Sequence, residues 1–96
     1  MAMKVKIKYG GMIAELIKKS EEIYECNEQN LDVMQLIKRL FNKYLELAKF
    51  YENNPLKIFE ESMVFVNERV INPNEINIVN VNEGDLVMFL PIVTGG

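Results

Sequence analysis

Ninety-six residues are enough for one domain with a single modest core, at 49% apolar and 26% charged composition. A net charge of -3, with acidic and basic residues interspersed, lacks the concentrated basic face of a nucleic-acid binder. The absence of histidine and the single cysteine, Cys26, exclude Ser–His and Cys–His nucleophile pairs, the usual Cys/His zinc sites and an internal disulfide framework.

Residues 3–9, MKVKIKY, alternate apolar and charged. The pattern predicts a strand with Met3, Val5, Ile7 and Tyr9 on one face and Lys4, Lys6 and Lys8 solvated on the other. Gly10 and Gly11 break it. Residues 12–17 are short and apolar, fitting either one helical turn or a loop packed on the core. Residues 21–26, EEIYEC, fit a second strand antiparallel to the first, with Cys26 as a buried or half-buried strand residue.

Asp32 with Gln35 three residues on has the form of a capping box. Val33, Leu36, Ile37, Leu40, Tyr44, Leu47 and Ala48 follow at helical spacing, predicting one core helix to about residue 52. Asn53, Asn54 and Pro55 stop it. Residues 55–62 fit a short helical turn or a loop. Residues 63–66 read as a strand, Asn67 and Glu68 as a turn, and residues 69–71 as a return strand. Residues 72–74 form another turn, and residues 76–81 are an apolar patch of either state. Residues 82–85 turn into a last strand at 86–90, whose near-continuous apolarity predicts burial on both faces in the middle of the sheet. Two early strands, a long helix and later strands make an α+β fold, with the helix across one face of a mixed sheet. Pairing first and last strands in parallel gives a β-grasp, with residues 1–91 as the domain and 92–96 as a flexible tail.

No apolar run approaches the roughly 20 residues of a membrane span. The chain enters a strand pattern without a signal-peptide core. A single cysteine fits a reducing compartment, so the expected location is cytoplasmic.

After Pro91 the character changes. Proline lacks an N–H and ends the ladder on one side. Five residues beyond it reach roughly 17 Å when extended, and Gly95 and Gly96 can pass a narrow channel in any conformation. The apolar pair Ile92 and Val93 on such a tail implies a partner.

The ending GDLVMFLPIVTGG resembles the C-terminus of the ubiquitin-like sulfur carriers of the MoaD/ThiS type, nearest to the small subunit of molybdopterin synthase. The matching residues are Gly84, Asp85, Phe89, Leu90, Pro91, Val93, Thr94, Gly95 and Gly96; Ile92 stands where a second proline is common. VKIKYGGMIAEL, DVMQLIKRLFNKY and VFVNERVI resemble the family's first strand and loop, its helix and its late hairpin. Residues of about 45–62 look like added length.

This resemblance implies a mechanism. The Gly96 carboxylate is adenylated by a ubiquitin-activating-type enzyme that uses ATP. It becomes a thiocarboxylate and gives up its sulfur in the large subunit of molybdopterin synthase. The chain itself then binds no cofactor and no metal and is a carrier rather than an enzyme, its catalytic acids and bases belonging to its partners. Phe89, Leu90, Pro91, Ile92, Val93, Thr94 and Gly95, with Met88 a further candidate, are the expected docking residues; Phe89 and Met88 equally fit core packing, since one face of the strand must be core. The same tail also suits a protein modifier joined to lysines through Gly96, or a sulfur carrier for thiamine or tRNA thiolation.

Overall fold

Strand β1, Met3–Tyr9, alternates as its sequence demands, with Met3, Val5, Ile7 and Tyr9 buried and Lys4, Lys6 and Lys8 exposed. The computed structural model describes residues 2–28 and 30–93. The apolar stretch after Gly10 is helical: α1, Gly11–Ile17, buries Ile13 and Ile17 and ends at Lys18 in the left-handed region. Strand β2, Glu21–Cys26, returns antiparallel to β1, with Met3 opposite Cys26 and Lys8 opposite Glu21. Cys26 is buried.

A short strand β3, Asn30–Asp32, leads into helix α2, Val33–Lys43. The capping box is present. The Asp32 carboxylate accepts from the Gln35 N–H at 2.7 Å, and the Gln35 side-chain oxygen accepts from the Asp32 N–H at 3.0 Å. Such a cap is worth about 1 kcal/mol. The next free donors of this helix end, the N–H groups of Val33 and Met34, reach the carbonyls of Val79 and Ile76. That gives the indeterminate 76–81 patch its role: a turn against the helix start, then strand β6, Asn80–Asn82, pairing antiparallel with β3.

The single helix expected to residue 52 is instead two. Tyr44 is extended (φ −122°, ψ 95°) and separates α2 from α3, Leu45–Phe50. No Gly or Pro stands there, so the cause is tertiary. The Tyr44 hydroxyl donates to Glu22 Oε2 at 2.6 Å, beside the Tyr9 hydroxyl at 2.5 Å, while Lys43 Nζ donates to Glu22 Oε1 at 2.6 Å. The Glu22 side chain is only 8% exposed. Burial alone would push its carboxyl up, but the hydrogen bonds from Lys43, Tyr44 and Tyr9 outweigh this and hold it below the usual carboxylate range. Three donors on one carboxylate fix the chain at Tyr44 where periodicity would continue the helix.

Beyond α3, Glu52 and Asn53 both take positive φ. Asn54 caps a 3-10 turn at Pro55–Glu60, resolving the ambiguous 55–62 stretch as helical turn. Strands β4, Ser62–Val66, and β5, Arg69–Ile71, form the expected hairpin across Asn67, itself at φ 56°. Strand β7, Leu86–Pro91, runs parallel to β1 (Ile7 opposite Val87) and antiparallel to β4 (Val64 opposite Phe89). The sheet order is β2-β1-β7-β4-β5. This is the expected β-grasp, with β7 central and α2 contributing Val33, Leu36, Ile37, Leu40 and Phe41 to one core.

The expectation that β7 is buried on both faces needs correction. Val87 and Phe89 are 0% and 1% exposed, whereas Leu86, Met88 and Leu90 are only half-buried. The buried side chains of the helices join Val87 and Phe89 in one core, and the opposite face of the sheet is left open. A central strand can therefore read as continuously apolar while one of its faces meets solvent.

Candidate docking surface at the end of strand β7

Side chains alternate along a strand, so register decides which residues of β7 are available. Phe89 is a correction to the expected docking set. It points into the core and stacks on Tyr9 with ring centroids 6.0 Å apart. Leu90 lies on the open face, opposite Met63 of β4. Pro91 is exposed, Ile92 is 41% exposed and Val93 88%. Thr94, Gly95 and Gly96 lie outside the described residues.

The same register assembles a wider surface than the tail alone. On the open face Phe65 stands between Val70 of β5 and Met88 of β7, and Met88 is followed across the sheet by Lys8. Met63, Val70 and Ile92 are each more than a third exposed. The β7–β4–β5 half is thus an apolar patch that runs into Ile92 and Val93, and contiguous exposed apolar residues mark interaction sites. The other half is mainly ionic, with Ile23 exposed among the charges. Lys4 and Lys6 pair with Glu25 and Glu21 at 3.9 and 3.5 Å, all substantially exposed.

Met63, Phe65 and Val70 were absent from the sequence-based docking set. Their signal was the period-two alternation of the hairpin, which separates Val64 and Val66 from Phe65. It became informative only once the covered face was known.

The strand end is held by nearby polar groups. The Ile92 N–H donates to the Glu61 carbonyl at 3.0 Å, and the Tyr51 hydroxyl donates to Glu61 Oε1 at 2.5 Å. Burial, then the hydrogen bond to Glu61, pushes the Tyr51 hydroxyl well above the usual phenol range, so it remains a donor. Pro91 ends the ladder toward β1, but the bond from Ile92 carries it one step further toward β4. The chain leaves the sheet after Ile92 rather than at Pro91.

Among the described residues no group of three or more His, Cys, Asp or Glu is arranged to hold a metal ion, and no helix is long and apolar enough to cross a membrane. The surface offers shape and an apolar grip.

A model of the ThiS family matches residues 7–96, nearly the whole chain and including the terminal glycines. The chain belongs to the ThiS family. It is thereby one of the small sulfur-carrier, ubiquitin-like proteins, which are carriers rather than enzymes.

Solved structures agree on the fold. A putative molybdopterin converting factor subunit 1 from Pyrococcus furiosus is 24% identical, with a TM-score of 0.70 over 95% of this chain and 99% of the other. Small archaeal modifier protein 1 of Haloferax volcanii is 13% identical, with a TM-score of 0.72 over 95% and 99%. A complex of subunits 1 and 2 of the molybdopterin-converting factor from Helicobacter pylori includes a chain 19% identical, with a TM-score of 0.59 over 98% and 100%. No curated protein matches the sequence.

Proposed function

We propose that this ThiS-family protein is the small subunit of a molybdopterin synthase and carries sulfur on Gly96. The observation that carries the reading is the family match through residue 96, joined to an apolar sheet face that continues into exposed Ile92 and Val93. A carboxylate is a poor electrophile. Adenylation of the Gly96 carboxylate by a partner enzyme releases pyrophosphate from ATP and creates a good leaving group. The terminal sulfur of a partner's persulfide then attacks the acyl carbon and AMP departs. A thiol reduces the resulting acyl disulfide, leaving a thiocarboxylate.

Docking falls to Leu90, Ile92 and Val93 with Met88, Met63 and Phe65. A second subunit that covers the apolar half buries these side chains, and the tail then enters that subunit's active site. The chain supplies terminus and grip, and its partners supply acid, base and ATP site, which suits a sequence without histidine.

The test is an intact mass after incubation with ATP, the cognate activating enzyme and a persulfide donor. One oxygen replaced by one sulfur at Gly96 is expected. An unchanged mass with an active enzyme removes the carrier reading, and lysine-linked adducts in cell extract replace it with a protein modifier. Transfer of that sulfur to a pterin precursor, rather than to a thiazole precursor or tRNA, identifies the pathway.

A further inference from the structure

Gly10 and Gly11 pack against Pro91, a contact that docking and sulfur chemistry leave unused. A Cβ on Gly10 would stand 3.1 Å from Pro91 Cδ and 3.4 Å from the Phe89 carbonyl oxygen. On Gly11 it would stand 3.0 Å from Pro91 Cβ, and Gly11 also has φ +59°. Gly10 has ordinary extended backbone (φ −132°, ψ 169°), so its glycine answers to space alone.

The ring's position follows from strand geometry. The Gly10 N–H donates to the Phe89 carbonyl at 2.8 Å, so Phe89 faces β1. Two residues on, the nitrogen of Pro91 faces the same side. There an N–H would need an acceptor; the ring instead fills the space left by two missing side chains. Toward β4, Ser62 stands opposite Pro91 and the Glu61 carbonyl accepts from Ile92. Glu61 is held by Tyr51, which is 3% exposed. The strand end is thus clamped from both sides, and the next residue, Val93, is 88% exposed.

We propose that Gly10, Gly11 and Pro91 form a socket that, with the Ile92–Glu61 hydrogen bond, fixes where and in which direction the C-terminus leaves the sheet. Gly10 and Tyr51 are then positioning residues for chemistry at Gly96. This rests on the reading that the Gly96 carboxyl is activated by a partner. The four residues past the clamp span at most about 14 Å. Freeing Pro91 and Ile92 lengthens the reach by about half and removes the aim, the kind of misplacement that slows a reaction without weakening docking.

Gly10→Ala tests the socket. Amide exchange at Ile92 is expected to become about tenfold faster while Val5 and Ile7 stay unchanged. The kcat for adenylation by the cognate activating enzyme falls about tenfold, with KM within about twofold. In a Pro91→Ala background, adding Gly10→Ala changes each quantity by less than about twofold, because the Cδ it would strike is gone and only the 3.4 Å approach to the Phe89 carbonyl remains. Should Gly10→Ala fail to fold, Tyr51→Phe takes its place, with Ile92 exchange about threefold faster. Unchanged Ile92 exchange overturns the socket, and faster exchange with unchanged kcat overturns the positioning role. If the wild type is not activated at all, the reading of Gly96 falls, while the exchange cycle still passes or fails the socket.

Discussion

The two faces of the sheet use neighbouring residues of one strand for opposite ends. Phe89 is 1% exposed, in the core beneath the helices, and Leu90, one residue on, sits half-buried on a face that no helix covers. The covered face is buried, continuous and stabilising. The open face divides into a charged half on β1 and β2 and an apolar half on β7, β4 and β5. Burial belongs where helices stand over the sheet, and the proposed docking falls on what they leave uncovered.

Substitutions that separate stability from docking can break this contrast. The largest effect is expected from Phe89→Ala, which removes a fully buried ring and leaves a cavity, costing about 3–5 kcal/mol in urea denaturation. A loss under about 1 kcal/mol would mean that the two faces of β7 are alike in burial.

Next is Glu22→Gln, which strips the carboxylate that gathers Tyr9, Tyr44 and Lys43, at about 2 kcal/mol. The pH dependence gives its sign. The folded carboxyl lies below its ordinary value of about 4.3, so its stabilisation is full above that value and lost as pH falls through the depressed one. Stability against pH should therefore flatten on the acid side in the variant. An unchanged acid limb would remove Glu22 as the pin.

On the open face the expectation reverses. Met88→Asp should change stability by less than about 1 kcal/mol, yet weaken binding to the proposed partner subunit more than about tenfold, read by calorimetry. Equal losses in folding and binding would make the open face another part of the core. The smallest effect belongs to the charged half: Lys6→Gln removes one exposed ion pair and should shift stability by under about 0.5 kcal/mol, with partner affinity unchanged.

Much of this was legible in advance because it is local. The β1 alternation and the Asp32–Gln35 capping box need no distant partner. The parallel pairing of first and last strands also followed, since a central strand must be apolar and a helix must make the crossover. The helix break at Tyr44 was not legible, since its cause is a carboxylate on β2. The burial of Phe89 was hidden for a related reason: in a run of five apolar residues, period two names two faces without saying which one the helices cover.

The sequence by itself determined the order of the main strands and the main helix, the Asp32–Gln35 cap, the lack of histidine chemistry and an apolar last strand, because each depends on residue type and short spacing. Only the tertiary structure decided that Leu90, Met88 and Phe65 share an open surface, that Tyr44 ends a helix, and that Pro91 is seated on Gly10 and Gly11. Those facts depend on atoms brought together from parts of the chain far apart in sequence, where packing and hydrogen bonds of several kcal/mol override local preferences of a few tenths.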